Sequence, residues 1–195
     1  MPASPRRRLV SDHTFITKRG LQVRIRPLRP DDTEYLIEIF EHMSPESRYL
    51  RFHQPLIDPD PAFVRRRAQQ IAQVACESGR AFLAFADLPG EPNVAVGGAQ
   101  YVRAGPGVAE VALSVRDELQ GQGIGSELLR LLTKQAKEEG IEKFVAVFQA
   151  NNKAIQHVLR RVPLPVKREY HGSEVWIEVD LTTDTVWKQE MQPCL

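Results

Sequence analysis

A glycine-rich hexapeptide, Gln120-Gly121-Gln122-Gly123-Ile124-Gly125, separates a segment typical of a strand from one typical of a helix. The segment before it, Val108 to Val115, is mostly apolar, and leucines recur at helical spacing in the segment after it, Ser126 to Glu139. The first N–H groups of a helix have no partner in the chain, and they lie at the positive end of the helix dipole. An anion approaches them closely where glycines replace residues with a Cβ. The hexapeptide therefore predicts a binding site for a phosphate group.

Two common phosphate-binding motifs do not fit this stretch. A P-loop has a lysine after its last glycine, whereas Ser126 follows Gly125 here. A dinucleotide-binding fingerprint has the spacing Gly-x-Gly-x-x-Gly and an acidic residue about 20 positions further on. The nearest acids after the helix, Glu139 and Glu142, do not meet that requirement. An ordinary glycine-rich turn is the alternative to a phosphate site.

Composition limits the class of protein. A chain of 195 residues with 42% hydrophobic and 26% charged residues is expected to fold as one soluble domain. Its formal charge of +1 argues against a protein that binds nucleic acid mainly by electrostatics. Its two cysteines, Cys76 and Cys194, are too few for a disulfide framework, and no residues have the spacing of a zinc site.

Targeting signals are also missing from the pattern. No apolar run approaches the ~18 residues of a transmembrane helix, and the basic start of the chain lacks the apolar core of a signal peptide. We therefore expect a cytoplasmic protein with no metal, and with no nucleic-acid or membrane partner.

The segments predict one domain flanked by two less structured ends. Residues 1–20 are expected to form a loose arm, 21–181 a single domain, and 182–195 a tail. Seven strands are expected within the domain, at 21–26, 81–86, 94–102, 108–115, 144–148, 166–170 and 174–181. Short links favour antiparallel pairing, but the strand at 144–148 follows a helix and is expected to run parallel to the strand before that helix. Asp31 and Ser44 are the predicted caps of two earlier helices.

The hexapeptide also fits the pattern Gln/Arg-x-x-Gly-x-Gly/Ala, and in this it resembles the pyrophosphate loop of the GNAT superfamily of acyl-CoA-dependent N-acyltransferases. Three neighbouring segments, 94–103, 110–120 and 152–156, are similar to strands and to a cofactor-facing segment of that family. The resemblance covers roughly residues 22–181 in the family's order. It implies an α+β, three-layer fold with a mixed, mostly antiparallel central sheet of six to seven strands and helices on both faces.

The resemblance further implies that acetyl-CoA is the co-substrate. A backbone N–H near Ser114 would bind the oxyanion, Val115 would pair with the pantetheine amides, and the loop would hold the pyrophosphate. Asn152 would contact the pantetheine arm or a water in the site, or cap the following helix, or do both, and Asn151 is the competing cap. The implied cofactor-binding residues are Leu113, Ser114, Val115, Gln120, Gly121, Gln122, Gly123, Ile124, Gly125, Ser126 and Asn152.

Acyl transfer to an amine also requires a base, because a lysine amine with a pKa near 10.4 is protonated at neutral pH. Glu110 is the candidate, since it lies in an apolar strand and matches the position of the family's glutamate base. Alternation places it on one strand face with Ala112 and Ser114, and apolar neighbours would raise its pKa. The alternative is a glutamate that orients water or pairs with an arginine.

Two positions depart from the family's pattern. Many relatives have a tyrosine acid at the position of Leu159, and a Gly-Phe pair where this chain has Pro163-Leu164. Consequently no general acid is identified, and Tyr170 is only weakly indicated. The five histidines show no metal-ligand spacing and are interpreted as structural or surface residues.

The acceptor is suggested by the phrase Ser47 to Phe52, which is similar to a segment of bacterial Pat-type protein-lysine acetyltransferases. Tyr49 and Phe52 would pack a short helix or line a substrate groove. The three arginines 65–67 are interpreted as a solvated face, with an acidic acceptor or the cofactor phosphates as the alternative. A protein lysine is the expected acceptor. A small amine, or a non-catalytic acyl-CoA sensor, remains an alternative, and the protein is expected to be a monomer or a homodimer.

Overall fold

One sheet of eight strands organises the residues that the computed structural model describes, 12–183 and 187. The strands lie in the order β1-β2-β3-β4-β5-β6-β8-β7. Their bounds are β1 His13–Ile16, β2 Gln22–Pro27, β3 Gly79–Leu88, β4 Glu91–Gly105, β5 Val108–Val115, β6 Lys143–Gln149, β7 Val166–His171 and β8 Glu174–Asp180. The helices are α1 Thr33–Glu41, α2 Pro45–Phe52, α3 Pro61–Ser78, α4 Ile124–Glu138 and α5 Lys153–Leu159.

The mixed, mostly antiparallel sheet is confirmed. All neighbouring strands pair antiparallel except β5 and β6, which are parallel as expected for strands separated by the α4 crossover. The expected number of six to seven strands is one too low.

The additional strand is β1, which lies within the predicted arm. His13–Ile16 pairs with β2 through a turn in which Gly20 has a φ of +82°. A strand of four residues carries too little periodicity to be recognised in the sequence, and it is held by pairing with β2. The remainder of the predicted arm, 1–11, and most of the predicted tail, including Cys194, lie outside the described residues.

Helices cover both faces of the sheet. Leu83 and Phe85 of β3 pack with Ile39 of α1 and with the alanines of α3, whereas Ala84 belongs to the larger core under α4. Alternate residues of β3 therefore face opposite helical layers, which explains why this strand is apolar on both sides. None of the helices in the described part of the chain combines the length and apolar character needed to cross a membrane.

The helix caps were predicted with mixed success. Ser44 caps α2 as predicted, since its Oγ accepts from the Ser47 N–H at 3.2 Å and Pro45 occupies the first turn. The predicted cap Asp31 of α1 is wrong. Asp32 occupies the cap position, and its carboxylate instead pairs with the Arg26 guanidinium at 2.6 Å.

A fully buried arginine, Arg116, follows β5 directly. Its Nε donates to the Ala95 carbonyl of β4 at 2.6 Å, and its Nη2 donates to the Glu38 carboxylate of α1 at 2.7 Å. The same carboxylate accepts from the Ala95 N–H at 3.1 Å. Arg116 therefore fixes the end of β5, and with it the start of the glycine-rich loop, to the rest of the sheet.

Replacing Arg116 with Met is expected to lower the free energy of unfolding by about 3–5 kcal/mol, because the partners of a buried charge lose their donor. Urea unfolding followed by circular dichroism measures this change. The matched control is Arg24→Met, which removes an exposed hydrogen bond to Asn93 and is expected to cost about 0.5 kcal/mol or less. Equal stability of the two variants would contradict the structural role of Arg116.

Candidate active site

The parallel strands β5 and β6 separate after a short stretch of pairing. They pair over three residue positions, Val108–Glu110 with Lys143–Val145, and both strands continue beyond this point without pairing to each other. A wedge-shaped gap therefore opens at Glu110, and it widens toward the glycine-rich loop after β5.

Backbone groups of β5 are directed into this gap. The Arg116 N–H donates to the Val96 carbonyl of β4 at 3.0 Å, and antiparallel alternation turns the Ser114 N–H toward β4 as well. Leu113 and Val115 consequently present their N–H and C=O groups toward β6. The Val115 carbonyl accepts from the Gln120 amide at 3.3 Å. The N–H groups of Leu113 and Val115, on either side of Ser114, are thus the nearby donors that face the gap.

A cleft of about 830 Å³ occupies the gap and extends over the loop and the start of α4. Its walls come from α2, β5, β6, α4 and α5, and its lining includes Glu110 and all but one of the predicted cofactor-binding residues. The predicted residues that line it are Glu110, Leu113, Ser114, Val115, Gln120, Gly121, Gly123, Ile124, Gly125, Ser126 and Asn152.

The exception is Gln122. Its side chain is 5% exposed and accepts a hydrogen bond from the Thr17 hydroxyl at 3.3 Å, while its carbonyl accepts from the Lys18 N–H at 3.3 Å. Gln122 therefore attaches the loop to the turn between β1 and β2. The strand β1 was not predicted, so this partner was not visible in the sequence.

Glycines give the loop its conformation. Gly121 has a φ of +75° and Gly123, the residue before α4, has a φ of +102°; both lie in the left-handed region that other residues rarely adopt. No side chain caps the start of α4. The first N–H groups of this helix, at Ile124, Gly125 and Ser126, are left available to an external acceptor beside the cleft.

Glu110 lies where β5 and β6 begin to separate, and its side chain is exposed. The expected apolar surroundings are therefore wrong, because the exposed Glu110 side chain lines the open cleft. Two arginines from the helices above it, Arg51 and Arg67, also line the cleft. Burial lowers the pKa of Arg51 to about 10, with the nearby Arg67 charge acting in the same direction and the Glu110 carboxylate opposing it. Arg51 remains a cation at neutral pH.

Asn152 is the cap of α5, and its Oδ1 accepts from the Ile155 N–H at 3.1 Å. Asn151 does not have this role. Because the oxygen of the Asn152 amide is engaged by the helix, its NH₂ group is the part left for a ligand in the cleft.

Packing accounts for the two leucines at the positions where this chain departs from the family's pattern. Leu159 and Leu164 are 4% and 6% exposed and belong to the main hydrophobic core. Tyr170 lies on the edge strand β7, is 71% exposed, and is not among the residues that line the cleft. The structure thus gives no support to Tyr170 as an acid.

Sequence reasoning missed several basic residues of the cleft. Lys18 comes from the β1–β2 turn, His53 ends α2 with a left-handed φ of +54°, and His157 and Arg161 come from α5 and the segment after it. These positions are far apart in the chain and follow no motif. Their common location depends on topology, although the left-handed histidine after a helix is a local signal of an unusual site.

The segment Ser47 to Phe52 forms most of α2 and combines the two predicted roles. Phe52 packs against Phe40 with ring centroids 5.9 Å apart and also lines the cleft. Tyr49 is 41% exposed and does not line the cleft. Arg48 instead holds the helix to α1, because its Nε donates to the Phe40 carbonyl at 3.2 Å.

An open sheet that separates at a parallel strand pair, with a glycine-rich helix start beside the gap, is the architecture of an acyl-CoA-dependent transferase. Comparison with known proteins agrees: the chain belongs to the GNAT acetyltransferase family, whose domain description, "Acetyltransferase (GNAT) domain", matches residues 22–163. Members of this family are N-acyltransferases that use acetyl-CoA.

Three relatives illustrate the relationship. The chain is 30% identical over 138 residues to an acetyltransferase of Pseudomonas aeruginosa, a match that covers 70% of this chain and 72% of that protein. It is 31% identical over 182 residues to the acetyltransferase Pat of Mycolicibacterium smegmatis, covering 88% of this chain but 52% of Pat. The fold matches the crystal structure of the GNAT domain of S. lividans PAT with a TM-score of 0.69 and 28% identity, over 87% of this chain and 96% of that domain. The chain thus spans about half the length of the M. smegmatis relative.

Gly125→Ala is expected to weaken acetyl-CoA binding about tenfold without destabilising the protein. The added Cβ would lie 3.5 Å from Leu113 Cδ1 and 3.7 Å from side-chain carbons of Val115 and Val158, so the fold accommodates it while the cleft narrows. Titration calorimetry measures the affinity, and thermal unfolding checks the fold.

The control for this variant is Gly105→Ala, in a hairpin position with no atom within 4 Å of the added Cβ. It is expected to bind acetyl-CoA like the wild type. Unchanged affinity in Gly125→Ala would mean that the loop is not the phosphate site.

Proposed function

We propose that this protein transfers an acetyl group from acetyl-CoA directly to the side-chain amine of a protein lysine, with Glu110 as the base. The observation that carries this proposal is the position of Glu110. Its carboxylate is exposed in the cleft at the point where β5 and β6 separate, beside α2. A base that is reached from solvent suits an acceptor that is itself part of a large molecule.

The residues that would hold acetyl-CoA follow the cleft. The free N–H groups at the start of α4 suit a pyrophosphate, and the backbone of Leu113 and Val115 suits the amides of the pantetheine arm in the manner of an added strand. The side chains of Lys18 and Arg161 add positive charge around this path, and His157 also lines it. When bound, the cofactor supplies an acyl group activated as a thioester.

Two steps of the transfer, removal of the amine proton and stabilisation of the oxyanion, have candidates among this chain's groups. Glu110 takes a proton from the amine, directly or through a water molecule, so that the neutral amine attacks. The Val115 N–H, which faces the gap, suits an oxygen on which negative charge develops. No tyrosine is among the residues that line the cleft, and a thiol with a pKa near 8.5 leaves with little need of an acid.

The lysine acceptor is supported by α2 and by the relatives. Ser47, Leu50 and Phe52 of the Pat-like phrase line the cleft next to Glu110. The similarity to Pat of M. smegmatis and to the S. lividans PAT domain extends through this segment, because each match covers most of this chain.

Glu110→Gln is expected to lower kcat about 10²–10⁴-fold while leaving coenzyme A affinity within about twofold, because the amide keeps the shape of the side chain but cannot accept the proton. Thiol release from acetyl-CoA reports turnover, and calorimetry reports binding. Glu142→Gln is the control, since this exposed glutamate precedes β6 and is not among the cleft residues. Full turnover by Glu110→Gln would exclude Glu110 as the base.

The acceptor is tested by thiol release with a panel of lysine-containing proteins, including an acyl-CoA synthetase, and with free amines at equal amine concentration. Turnover with a protein and none with free amines is the expected result. Turnover only with a small amine would overturn the lysine assignment. Tight coenzyme A binding without turnover on any acceptor would indicate an acyl-CoA sensor instead.

A further inference from the structure

A second, smaller cavity of about 80 Å³ lies on the other face of β5, beneath α1, α2 and α3. Its lining is mainly apolar, with Leu36 and Ile39 of α1 and Val64 and Ala68 of α3 among its walls. It adjoins the large cleft at a boundary, here called the opening, that both cavities share. Six residues line both cavities, namely Met43, Arg51, Phe52, Arg67, Ala112 and Ser114.

Two cations, Arg51 and Arg67, lie at this opening, and the Arg51 guanidinium also lies over the Phe52 ring, 5.0 Å from its centroid. Among the described residues, neither Arg51 nor Arg67 makes a hydrogen bond or an ion pair, and the Arg51 Nε is shielded from solvent with no acceptor. Two other arginines of these helices are paired, whereas Arg66, beside Arg67, makes no hydrogen bond or ion pair among the described residues. Arg48 donates to the Phe40 carbonyl, and Arg65 pairs with the Glu34 carboxylate.

An unsatisfied guanidinium in a partly desolvated position is costly to the folded protein, and it binds a carboxylate strongly because the hydrogen bonds are charge-assisted. Glu110 lies close enough to raise the pKa of Arg51, yet in the described part of the chain no hydrogen bond or ion pair joins the two side chains. Its carboxylate would in addition be engaged with the amine during transfer. The opening therefore has an excess of positive charge that a substrate can satisfy.

We propose that the small cavity receives the acyl group of a dicarboxylic acyl-CoA, such as a malonyl or succinyl thioester, whose terminal carboxylate binds Arg51 and Arg67. The inference rests on the proposed function and adds a class of acyl donor to it. A volume of about 80 Å³ exceeds the roughly 10–15 Å³ needed for one water molecule, so a few heavy atoms fit but a peptide does not.

The position of the cavity favours the donor over the acceptor as the source of the carboxylate. The loop and α4 lie on the Leu113 and Val115 face of β5, whereas Ala112 and Ser114 face the small cavity. A ligand that binds the loop at one end and passes through the gap thus reaches this cavity with its other end. In an acyl-CoA that end is the acyl group.

The reaction is otherwise unchanged. The amine nitrogen forms a bond to the acyl carbon, the carbon–sulfur bond breaks, coenzyme A leaves as the thiolate, and Glu110 receives the proton of the amine. The terminal carboxylate takes no part in bond making, and it only positions the acyl group.

Binding is tested with two stable thioethers of coenzyme A, S-(3-carboxypropyl) and S-butyl. They carry chains of similar length, and the first ends in a carboxylate. Wild-type protein is expected to bind the carboxylated thioether about tenfold or more tightly, and Arg51→Gln and Arg67→Gln are each expected to remove most of this preference. Arg67 is exposed on α3, so the second variant guards against loss of folding in the first.

Arg66→Gln is the matched control, because Arg66 is exposed on the same helix and lines neither cavity. It is expected to retain the wild-type preference. Turnover is tested by thiol release from the succinyl, butyryl and acetyl thioesters of coenzyme A with one fixed acceptor. The ratio of kcat/KM for the succinyl thioester to that for the butyryl thioester is expected to fall at least tenfold in Arg51→Gln.

Equal binding of the two thioethers by wild-type protein would overturn the proposal while leaving acetyl transfer intact. The proposal would also be overturned if turnover required a carboxylate on the amine acceptor instead, and if that requirement depended on Arg51. The subsite would then belong to the acceptor. Failure of the proposed function itself has a different signature, namely no thiol release with any thioester.

Discussion

Arg116 joins three parts of the protein that are distant in the sequence. Its guanidinium, fully buried, binds the β4 backbone at Ala95 and the Glu38 carboxylate of α1, while its own N–H completes the ladder with Val96. The next residue, Asp117, accepts from the Ser44 N–H at 3.0 Å and so holds the start of α2. The end of β5, the loop and the helix over the cleft therefore share one buried anchor, and their relative positions depend on it.

The cleft contains backbone groups that the fold leaves unpaired. β5 is satisfied along β4, but beyond Glu110 it has no partner on the β6 side, and α4 begins without a side-chain cap. Because buried polar groups are normally paired, the unpaired groups of the cleft are available to a ligand. A site whose donors are fixed by an eight-stranded sheet and a helix start requires little reorganisation when an anionic, amide-rich ligand binds.

The sequence predicted local structure better than it predicted surroundings. The glycine conformations of the loop and the cap at Ser44 follow from short-range rules, although the same capping rule failed at Asp31. The parallel pairing of β5 and β6 follows from the helix that lies between them in the chain. The apolar surroundings expected for Glu110 were wrong, because strand alternation gives the face of a residue and does not tell whether that face is covered. Strand β1 and the meeting of Arg51 with Arg67 depend on contacts across the fold, which no single-sequence pattern encodes.

The contact between Gln122 and the β1–β2 turn has a consequence for how the edge of the sheet behaves. Because the Lys18 amide and the Thr17 hydroxyl both donate to Gln122, opening of this turn is coupled to release of the loop. A ligand that binds only the closed loop stabilises it by RT ln(1 + [L]/Kd), and the same free energy is added to the opening of the turn. Amide hydrogen exchange at Lys18, remote in sequence from the loop, thereby becomes a reporter of cofactor occupancy.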